Sequence, residues 1–255
     1  MKNNNAHTVK PFSLERILVQ DATFIGKKIP HVHSILQADV TEVRQKIKEL
    51  RKREKKSLSL SAYILYCYVA TLNELKNIQA YNSYRNQLFL FEDVDIFFPL
   101  EIENKVVLPK IIRSVNRLKI FEIEHEIKSA KSSTHVKLDS KQIFFLKLPR
   151  WIRHAYYNYI VKRPIKRKMF FGTAYFSAAG TYTSELTWAI PLHLHTIGMY
   201  LCNVEKKQIV KENGFEEREI LAFTITADHT IIDGADMARF IIKLKHNIKH
   251  LIHNL

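Results

Sequence analysis

The sequence predicts an α/β fold in which helices cover a mixed β-sheet in a two-layer sandwich. Stretches with strand-like alternation are interspersed with stretches whose apolar residues recur at helical spacing, which is typical of this architecture. The 255 residues are 46% hydrophobic and 11% aromatic, enough to bury a sizeable core. Because there are only six glycines and no repeat or low-complexity linker, we expect one domain at residues 11–255 behind a flexible polar leader at residues 1–10.

Helical patterns dominate the first third of the chain. Asp39 followed by Glu42 resembles a capping box, and it precedes one apolar helix face made of Val40, Val43, Ile47 and Leu50. Residues 62–70 form the longest apolar run, which we interpret as a buried helix capped by Ser59 or Ser61. This run is far shorter than the roughly 20 residues of a membrane-spanning helix. The leader also lacks the apolar core of a secretory signal.

The middle of the chain combines strand and helix patterns. A helix is predicted at residues 118–131. Strands are predicted at residues 87–91, 94–102, 106–112 and 205–211. Asn213-Gly214 then predicts a hairpin turn into the final strand.

The final strand and the last helix have the clearest patterns. Leu221, Phe223 and Ile225 alternate with smaller residues, as in a half-buried strand. The last helix is predicted by apolar residues at helical spacing: Met237, Phe240, Ile241, Leu244, Ile248 and Leu251.

The junction between this strand and this helix carries the motif His229-x-x-x-Asp233-Gly234. An imidazole titrates near neutral pH, so His229 is a candidate general base. A helix that begins near Gly234 would direct its free N–H groups and positive dipole end to the junction, where an anion can be stabilised. This combination indicates acyl-transfer chemistry.

Residues 222–240, which surround this motif, form an extended signature, and further segments precede it in order: 29–31 with 38–41, 94–96 with 106–113, and 172–180. Together they resemble the CoA-dependent acyltransferases, in particular the catalytic domain of the dihydrolipoamide acyltransferases of 2-oxo acid dehydrogenase complexes. Chloramphenicol acetyltransferase is a more distant resemblance. The likeness covers roughly residues 12–252.

The resemblance implies a chloramphenicol-acetyltransferase-like fold and an enzyme that moves an acyl group between coenzyme A and a thiol, hydroxyl or amine acceptor. His229 would be the general base, and Ser177 would donate a hydrogen bond to the oxyanion. Gly234 would let the backbone turn without a side chain entering the channel. The family's active site lies between subunits, which implies a homotrimer.

For Asp233 the resemblance implies a structural role, in which it bonds to an arginine and holds the loop. Arg16 is the favoured partner from its position in the N-terminal segment, and Arg113 and Arg239 are alternatives.

Two departures from the family pattern leave a second interpretation open. Thr230 stands where the lipoamide enzymes usually have arginine, and Ala178-Ala179 replaces the Asn-Leu that follows their serine. The alternative is therefore a non-catalytic scaffold or binding protein that retains the fold. The chain contains no lipoyl domain, so we expect no lipoyl group on it and a stand-alone protein whose acceptor is a small molecule, a separate lipoyl protein or an acyl-carrier protein.

The charge distribution suggests a further partner. Lysine and arginine outnumber acidic residues by 40 to 25, and residues 140–184 contain no acidic residue at all. Residues 141–170 mix basic and aromatic side chains and look like an insertion relative to the lipoamide enzymes. Residues 149–168 predict an amphipathic helix with basic residues around and after an apolar face made of Trp151, Ile152, Ala155, Tyr156, Tyr159 and Ile160. This face either packs on the sheet or a neighbouring subunit, or docks to an anionic membrane or acyl-carrying protein. No nucleic-acid-binding motif is present, so nucleic acid is not an expected partner.

Histidine and cysteine spacing indicates no metal. His31-x-His33 and His193-x-His195 could each offer two ligands, but without a third ligand in sequence we interpret each pair as incidental. The same applies to His246 and His250. The two cysteines form no Cys-x-x-Cys pair, which predicts neither a disulfide nor a zinc site, and we expect a cytoplasmic protein, peripheral to the membrane if the basic segment docks there.

Overall fold

The computed structural model describes residues 7–102, 106–132, 138–178, 188–211 and 214–255. The helices are α1 (Leu14–Gly26), α2 (Thr41–Glu54), α3 (Leu60–Glu74), α4 (Ile120–Ser132), α5 (Ser140–Lys147), α6 (Arg150–Val161), α7 (Pro164–Phe171) and α8 (Gly234–His250). The strands are β1 (His31–Asp39), β2 (Tyr81–Asn82), β3 (Leu88–Phe89), β4 (Ile96–Ile102), β5 (Val106–Ile112), β6 (Ala174–Ser177), β7 (Ile197–Lys211) and β8 (Gly214–Asp228). Within the described ranges no helix is both long and apolar enough to cross a membrane.

A six-stranded mixed sheet forms one layer of the molecule. Its strand order is β1-β8-β7-β6-β4-β5. The short strand β6 runs parallel to both of its neighbours, β4 and β7, and the other pairs are antiparallel. The predicted mixed sheet covered by helices is therefore confirmed. Strands β2 and β3 pair separately, so only a fraction of the strand predicted at residues 87–91 forms.

The two faces of the sheet differ in chemistry. One face packs against α2, α3, α4 and α8 through buried apolar side chains that include Phe176, Met199, Phe223 and Ile225. The opposite face carries polar side chains in register, among them Tyr175, Ser177, Tyr200, Thr224 and Thr226. Because paired residues share a face, the predicted oxyanion serine lies on the side turned away from the main core.

The polar face is nevertheless buried around β8. Every residue of β8 from Ile220 to Asp228 is buried, so the prediction of a half-buried strand is wrong for this segment. A strand in the interior of the sheet is covered on both faces, whereas alternation alone indicates one covered face. The predicted hairpin forms between β7 and β8, with Lys211 opposite Gly214, although Asn213 lies outside the described residues.

Helix starts follow local hydrogen bonds. Ser59, one of the two candidates, caps α3 by accepting a hydrogen bond from the Ala62 backbone N–H. The predicted capping box of α2 does not form. Instead, the Asp39 carboxylate accepts from the backbone N–H and hydroxyl of Thr41.

The helix predicted at residues 149–168 is two helices. It breaks before Pro164, which lacks the N–H needed to continue α6 and occupies the first position of α7. The expected apolar face is also divided, because Ile160 is buried whereas Trp151 is 72% exposed. Local spacing does not reveal which side of a short helix meets the protein.

Candidate active site

His229 lies directly after β8, at the turn that leads into α8. Its backbone N–H donates to the carbonyl of Pro30 at 2.9 Å, which ties the turn to the start of β1. The backbone N–H and hydroxyl of Thr230 both donate to the Asp228 carboxylate, at 2.9 and 2.6 Å. The turn is thus held on both sides of His229, while the His229 side chain itself is exposed.

The imidazole of His229 is oriented by one hydrogen bond. Its Nδ1 lies 3.0 Å from the carbonyl oxygen of Ile232. A carbonyl only accepts hydrogen bonds, so Nδ1 must carry the proton, and in the neutral ring Nε2 then has a free lone pair. This tautomer is the one that a general base acting through Nε2 requires.

Asp233 caps α8. Its carboxylate accepts a hydrogen bond from the backbone N–H of Asp236 at 2.8 Å, which satisfies one of the free donors at the helix start. Gly234 begins the helix without a left-handed φ, and an added Cβ there would meet no atom within 4 Å. Within a single chain, neither the backbone conformation nor a close contact requires glycine at this position, and the role of Gly234 in keeping the channel open stays a prediction.

The predicted pairing of Asp233 with an arginine does not form either. Across the described ranges, no ion pair joins Asp233 to Arg16, which is exposed on α1. Of the two alternatives, Arg113 pairs with Asp95 at 2.8 Å and Arg239 pairs with Asp236 at 2.6 Å. The physical reason is local, because the Asp233 carboxylate already has a hydrogen-bond donor only three residues away, the backbone N–H of Asp236, and does not need a distant cation.

Ser177 ends β6 and is 3% exposed. It is hydrogen-bonded to the side chain of Tyr175, two residues earlier on the same face of the strand. Burial raises the pKa of Tyr175 to about 12, an effect that this hydrogen bond opposes. Ala178, which follows, is buried, and Ala179 lies outside the described residues.

The sheet register separates Ser177 from His229 within one chain. Ser177 is opposite Tyr200, and Tyr200 is opposite Thr224. The four residues from Thr224 to Asp228 rise about 13 Å, and the two strand spacings from β6 to β8 add about 10 Å sideways. The two candidate residues are therefore roughly 16 Å apart or more, which is too far to act on one carbonyl carbon in the same chain.

Two histidine pairs that are far apart in sequence meet in the structure. The ring centroid of His31 lies 4.7 Å from that of His193 and 6.1 Å from that of His33. His195 lies 5.8 Å from His193, and Tyr175 stacks on His193 at 5.2 Å. The histidine cluster therefore adjoins the face of β6 that carries Ser177. The two His-x-His repeats were the only sequence signal for it, and their proximity could not be read from spacing.

His193 and His195 of the histidine cluster are buried beside an arginine. Burial lowers the pKa of His195 to about 3 and lowers the pKa of His193 well below 6.5, and the nearby cation of Arg167 acts in the same direction. Arg167 is itself buried, and its guanidinium donates to the carbonyl of Leu194 and lies 4.0 Å from the ring centroid of Tyr81. Considering only the part of the chain that is described, no three or more acidic, histidine or cysteine side chains are arranged to hold a metal ion.

Comparison with known sequences identifies the family. The sequence model of the family described as 2-oxoacid dehydrogenases acyltransferase (catalytic domain) matches residues 6–142 and 172–255, so the chain belongs to this family. This confirms the resemblance inferred from the motifs. Residues 143–171, which include all of α6 and α7, lie outside the match.

Curated relatives are named dihydrolipoyllysine-residue acetyltransferase component of pyruvate dehydrogenase complex. The protein from Rickettsia typhi is 25% identical over 259 residues, which cover 97% of this chain and 54% of the relative. The protein from Cupriavidus necator is 26% identical over 216 residues, which cover 83% of this chain and 34% of the relative. The chain thus spans about half, or less, of the length of these relatives.

Solved structures show the same fold. A probable dihydrolipoamide acetyltransferase from Listeria monocytogenes matches with a TM-score of 0.74 and 16% identity, covering 96% of this chain and 95% of the other. The catalytic roles of a serine, a histidine and an asparagine were investigated in the dihydrolipoamide acetyltransferase of Azotobacter vinelandii. This structure matches with a TM-score of 0.74 and 16% identity, covering 98% of this chain and 94% of the other. A chloramphenicol acetyltransferase matches with a TM-score of 0.55 and 14% identity, covering 94% of this chain and 99% of the other. The predicted chloramphenicol-acetyltransferase-like fold is thereby confirmed.

Proposed function

We propose that this chain transfers an acyl group between coenzyme A and a thiol, hydroxyl or amine acceptor. The observation that carries the proposal is the hydrogen bond from Nδ1 of His229 to the Ile232 carbonyl, because it leaves Nε2 of an exposed imidazole free to accept a proton. Because the chain belongs to an acyltransferase family, acyl transfer is the reaction that we propose for this base.

The proposed reaction has two steps. Nε2 of His229 takes the proton of the acceptor as its heteroatom attacks the thioester carbonyl carbon, and the carbonyl oxygen becomes an oxyanion. Ser177 donates a hydrogen bond to that oxyanion, a contribution that is typically worth about 100- to 1,000-fold in rate. The intermediate then collapses, the carbon–sulfur bond breaks, and the departing sulfur of coenzyme A receives the proton from His229.

The Azotobacter vinelandii enzyme supports these assignments. Its serine precedes its histidine by as many residues as Ser177 precedes His229, and its asparagine follows at the interval of Asp233. Asparagine has no charge with which to pair an arginine, which agrees with the local capping role of Asp233.

The active site is proposed to lie between subunits of a homotrimer. The separation of Ser177 and His229 in one chain supports this arrangement, because a reacting atom must lie about 3 Å from both groups. In a cyclic trimer, the His229 of each subunit can face the Ser177 of its neighbour, so that three equivalent sites form.

The thiol is the acceptor that we test first. The curated relatives are named for a dihydrolipoyllysine residue, which is the reduced form of a lipoyl group and offers thiols. This acceptor would be carried by a separate lipoyl or acyl-carrier protein, or supplied as a free small molecule.

The test measures release of free coenzyme A from acetyl-CoA by chromatography, with dihydrolipoamide, a hydroxyl acceptor and an amine acceptor in parallel. We expect release with at least one acceptor and a decrease of about 100-fold or more in His229→Ala. His246→Ala, at an exposed position of α8, is the matched control and should retain activity.

The competing interpretation, a non-catalytic scaffold, makes the opposite prediction. If the folded wild-type protein releases no coenzyme A with any acceptor, or if His229→Ala is as active as wild type, the proposed mechanism is wrong. Thermal unfolding of each variant separates loss of chemistry from loss of fold.

A further inference from the structure

The helices α6 and α7 each bury one arginine and expose several large apolar side chains. Arg153 of α6 is buried and holds the buried Asp21 of α1 through contacts of 2.7 and 3.2 Å. Arg167 of α7 is buried against the Leu194 carbonyl. On the outer sides, Trp151 is 72% and Ile165 is 65% exposed. Water-facing helices normally have the opposite arrangement, so the outer side is suited to an apolar environment.

Exposed apolar residues of the two helices are linked through Tyr159 and two basic side chains. We define the α6–α7 surface by Trp151, Ala155 and Tyr159 of α6 and by Ile165, Met169 and Phe170 of α7, all of which are exposed. Lys166 of α7 donates to the Tyr159 hydroxyl at 3.1 Å, and Arg163 lies 4.2 Å from the Tyr159 ring centroid. These contacts connect the exposed sides of α6 and α7 at Tyr159.

The helices that form the α6–α7 surface, and the turn between them, also carry exposed basic side chains. Arg150, Lys162, Arg163 and Lys166 are exposed, and none of them forms an ion pair with an acidic residue of the described ranges. The sequence contains no acidic residue between Asp139 and Glu185 that could neutralise them. The surface therefore combines large apolar side chains with uncompensated positive charge.

We propose that the α6–α7 surface docks the protein on an anionic phospholipid bilayer. In this arrangement Trp151, Ile165 and Phe170 enter the boundary between headgroups and acyl chains, and the long basic side chains reach the lipid phosphates. A second copy of this chain is a poor occupant, because a symmetric contact through this surface would bring the same exposed cations against one another. Both helices also lie in the segment outside the family match, so docking is an addition to the acyltransferase domain.

The test is flotation with vesicles of phosphatidylcholine alone and of phosphatidylcholine mixed with phosphatidylglycerol. We expect binding to the mixed vesicles that decreases as salt is raised. Each cation removed should weaken binding about fivefold, so the variant with Arg150, Lys162, Arg163 and Lys166 changed to Gln should bind about 600-fold more weakly. Trp151→Ser with Ile165→Ser should also weaken binding.

A matched control has the same net charge but changes another surface. It replaces four exposed lysines of α2 and α8 by Gln: Lys48, Lys52, Lys245 and Lys249. This control should bind the mixed vesicles nearly as well as wild type. The buried Arg153 and Arg167 are unchanged in every variant, so α6 and α7 keep their attachments.

Three results would overturn the proposal. The first is that the wild type does not bind the mixed vesicles. The second is that the four-cation variant and the lysine control lose vesicle binding equally. The third is that Trp151→Ser with Ile165→Ser changes the oligomeric mass of the protein. The last result would identify the surface as a contact between copies of this chain. Salt-sensitive capture of an acidic carrier protein, without vesicle binding, would assign the surface to a protein partner instead.

Discussion

Asp233 stabilises the first turn of α8 through one hydrogen bond, from the backbone N–H of Asp236. Aspartate and asparagine are about equally good helix caps, whereas alanine leaves the N–H without its partner. The contribution of Asp233 to stability is therefore local, and it does not depend on a negative charge.

We expect Asp233→Asn to change the free energy of unfolding by less than about 0.5 kcal/mol, and Asp233→Ala to lower it by about 1 kcal/mol. Urea unfolding of the two variants and the wild type measures both values. A loss of roughly 3–5 kcal/mol in Asp233→Asn would instead reveal a buried ion pair formed on assembly.

At the scale of helices and strands, α6 is attached to α1 by a buried charge cluster. The Asp21 carboxylate is fully buried and is contacted by Arg153 and, at 3.1 Å, by Nε2 of His154. The His154 ring stacks on Phe24 of α1, with ring centroids 3.9 Å apart. A buried carboxylate deprived of its cation is costly, so this attachment is sensitive to single changes.

Arg153→Met should lower the free energy of unfolding by roughly 3–5 kcal/mol, because Asp21 would remain buried without its guanidinium. Chemical denaturation measures the loss. The matched control, Lys46→Met, breaks the exposed pair with Glu49 and should cost about 0–1 kcal/mol. Adding Asp21→Leu to Arg153→Met should recover much of the stability; no recovery would argue against a charge effect.

The histidine cluster makes the region between β1 and β7 sensitive to acid. Burial lowers the pKa of His31, His193 and His195 below 6.5, and Arg167 adds to the effect, while Asp228 opposes it at His31. The folded protein keeps these rings neutral, whereas the unfolded chain binds protons below about pH 6.5. Stability is therefore complete above that pH and is lost progressively as the pH falls towards 3.

We expect the free energy of unfolding of the wild type to decrease as the pH falls below about 6.5. In His195→Gln this free energy should fall less steeply, and the two slopes should differ by up to about 1.4 kcal/mol per pH unit. Urea titrations at a series of pH values measure the slope. His125→Gln, at an exposed position, is the control. Equal slopes in wild type and His195→Gln would show that His195 is not buried as a neutral ring.

At the scale of the whole molecule, the register of the sheet supports the proposed active site between subunits. Ser177 and His229 lie roughly 16 Å apart or more in one chain. A site between subunits can combine the intact histidine of one subunit with the intact serine of another.

Complementation tests this arrangement. His229→Ala and Ser177→Ala should each be nearly inactive alone, but refolding an equal mixture should restore about a quarter of wild-type activity, the fraction of interfaces with both intact residues after random assembly. Coenzyme A release measures the recovery. If the mixture is no more active than its components, both residues act within one chain.

Local sequence patterns predict much of this fold because burial periodicity is determined by neighbouring residues. The strand predicted at residues 106–112 is β5 with the same bounds, and the helix predicted at residues 118–131 is α4 within two residues. The motif around His229 falls at a strand-to-helix junction, as predicted. Errors occur where local signals compete: Pro164 divides a predicted helix, and Thr41 takes the Asp39 carboxylate that a capping box would use.

The sequence by itself thus determined the elements, the family and the candidate base, since each depends on residues that are close together in the chain. Only the tertiary structure decided that the two histidine pairs meet, that Arg153 reaches Asp21, and that Ser177 is remote from His229. These contacts join distant parts of the chain, and they depend on strand order and on which side of each helix is buried. Neither property is encoded in the spacing of neighbouring residues.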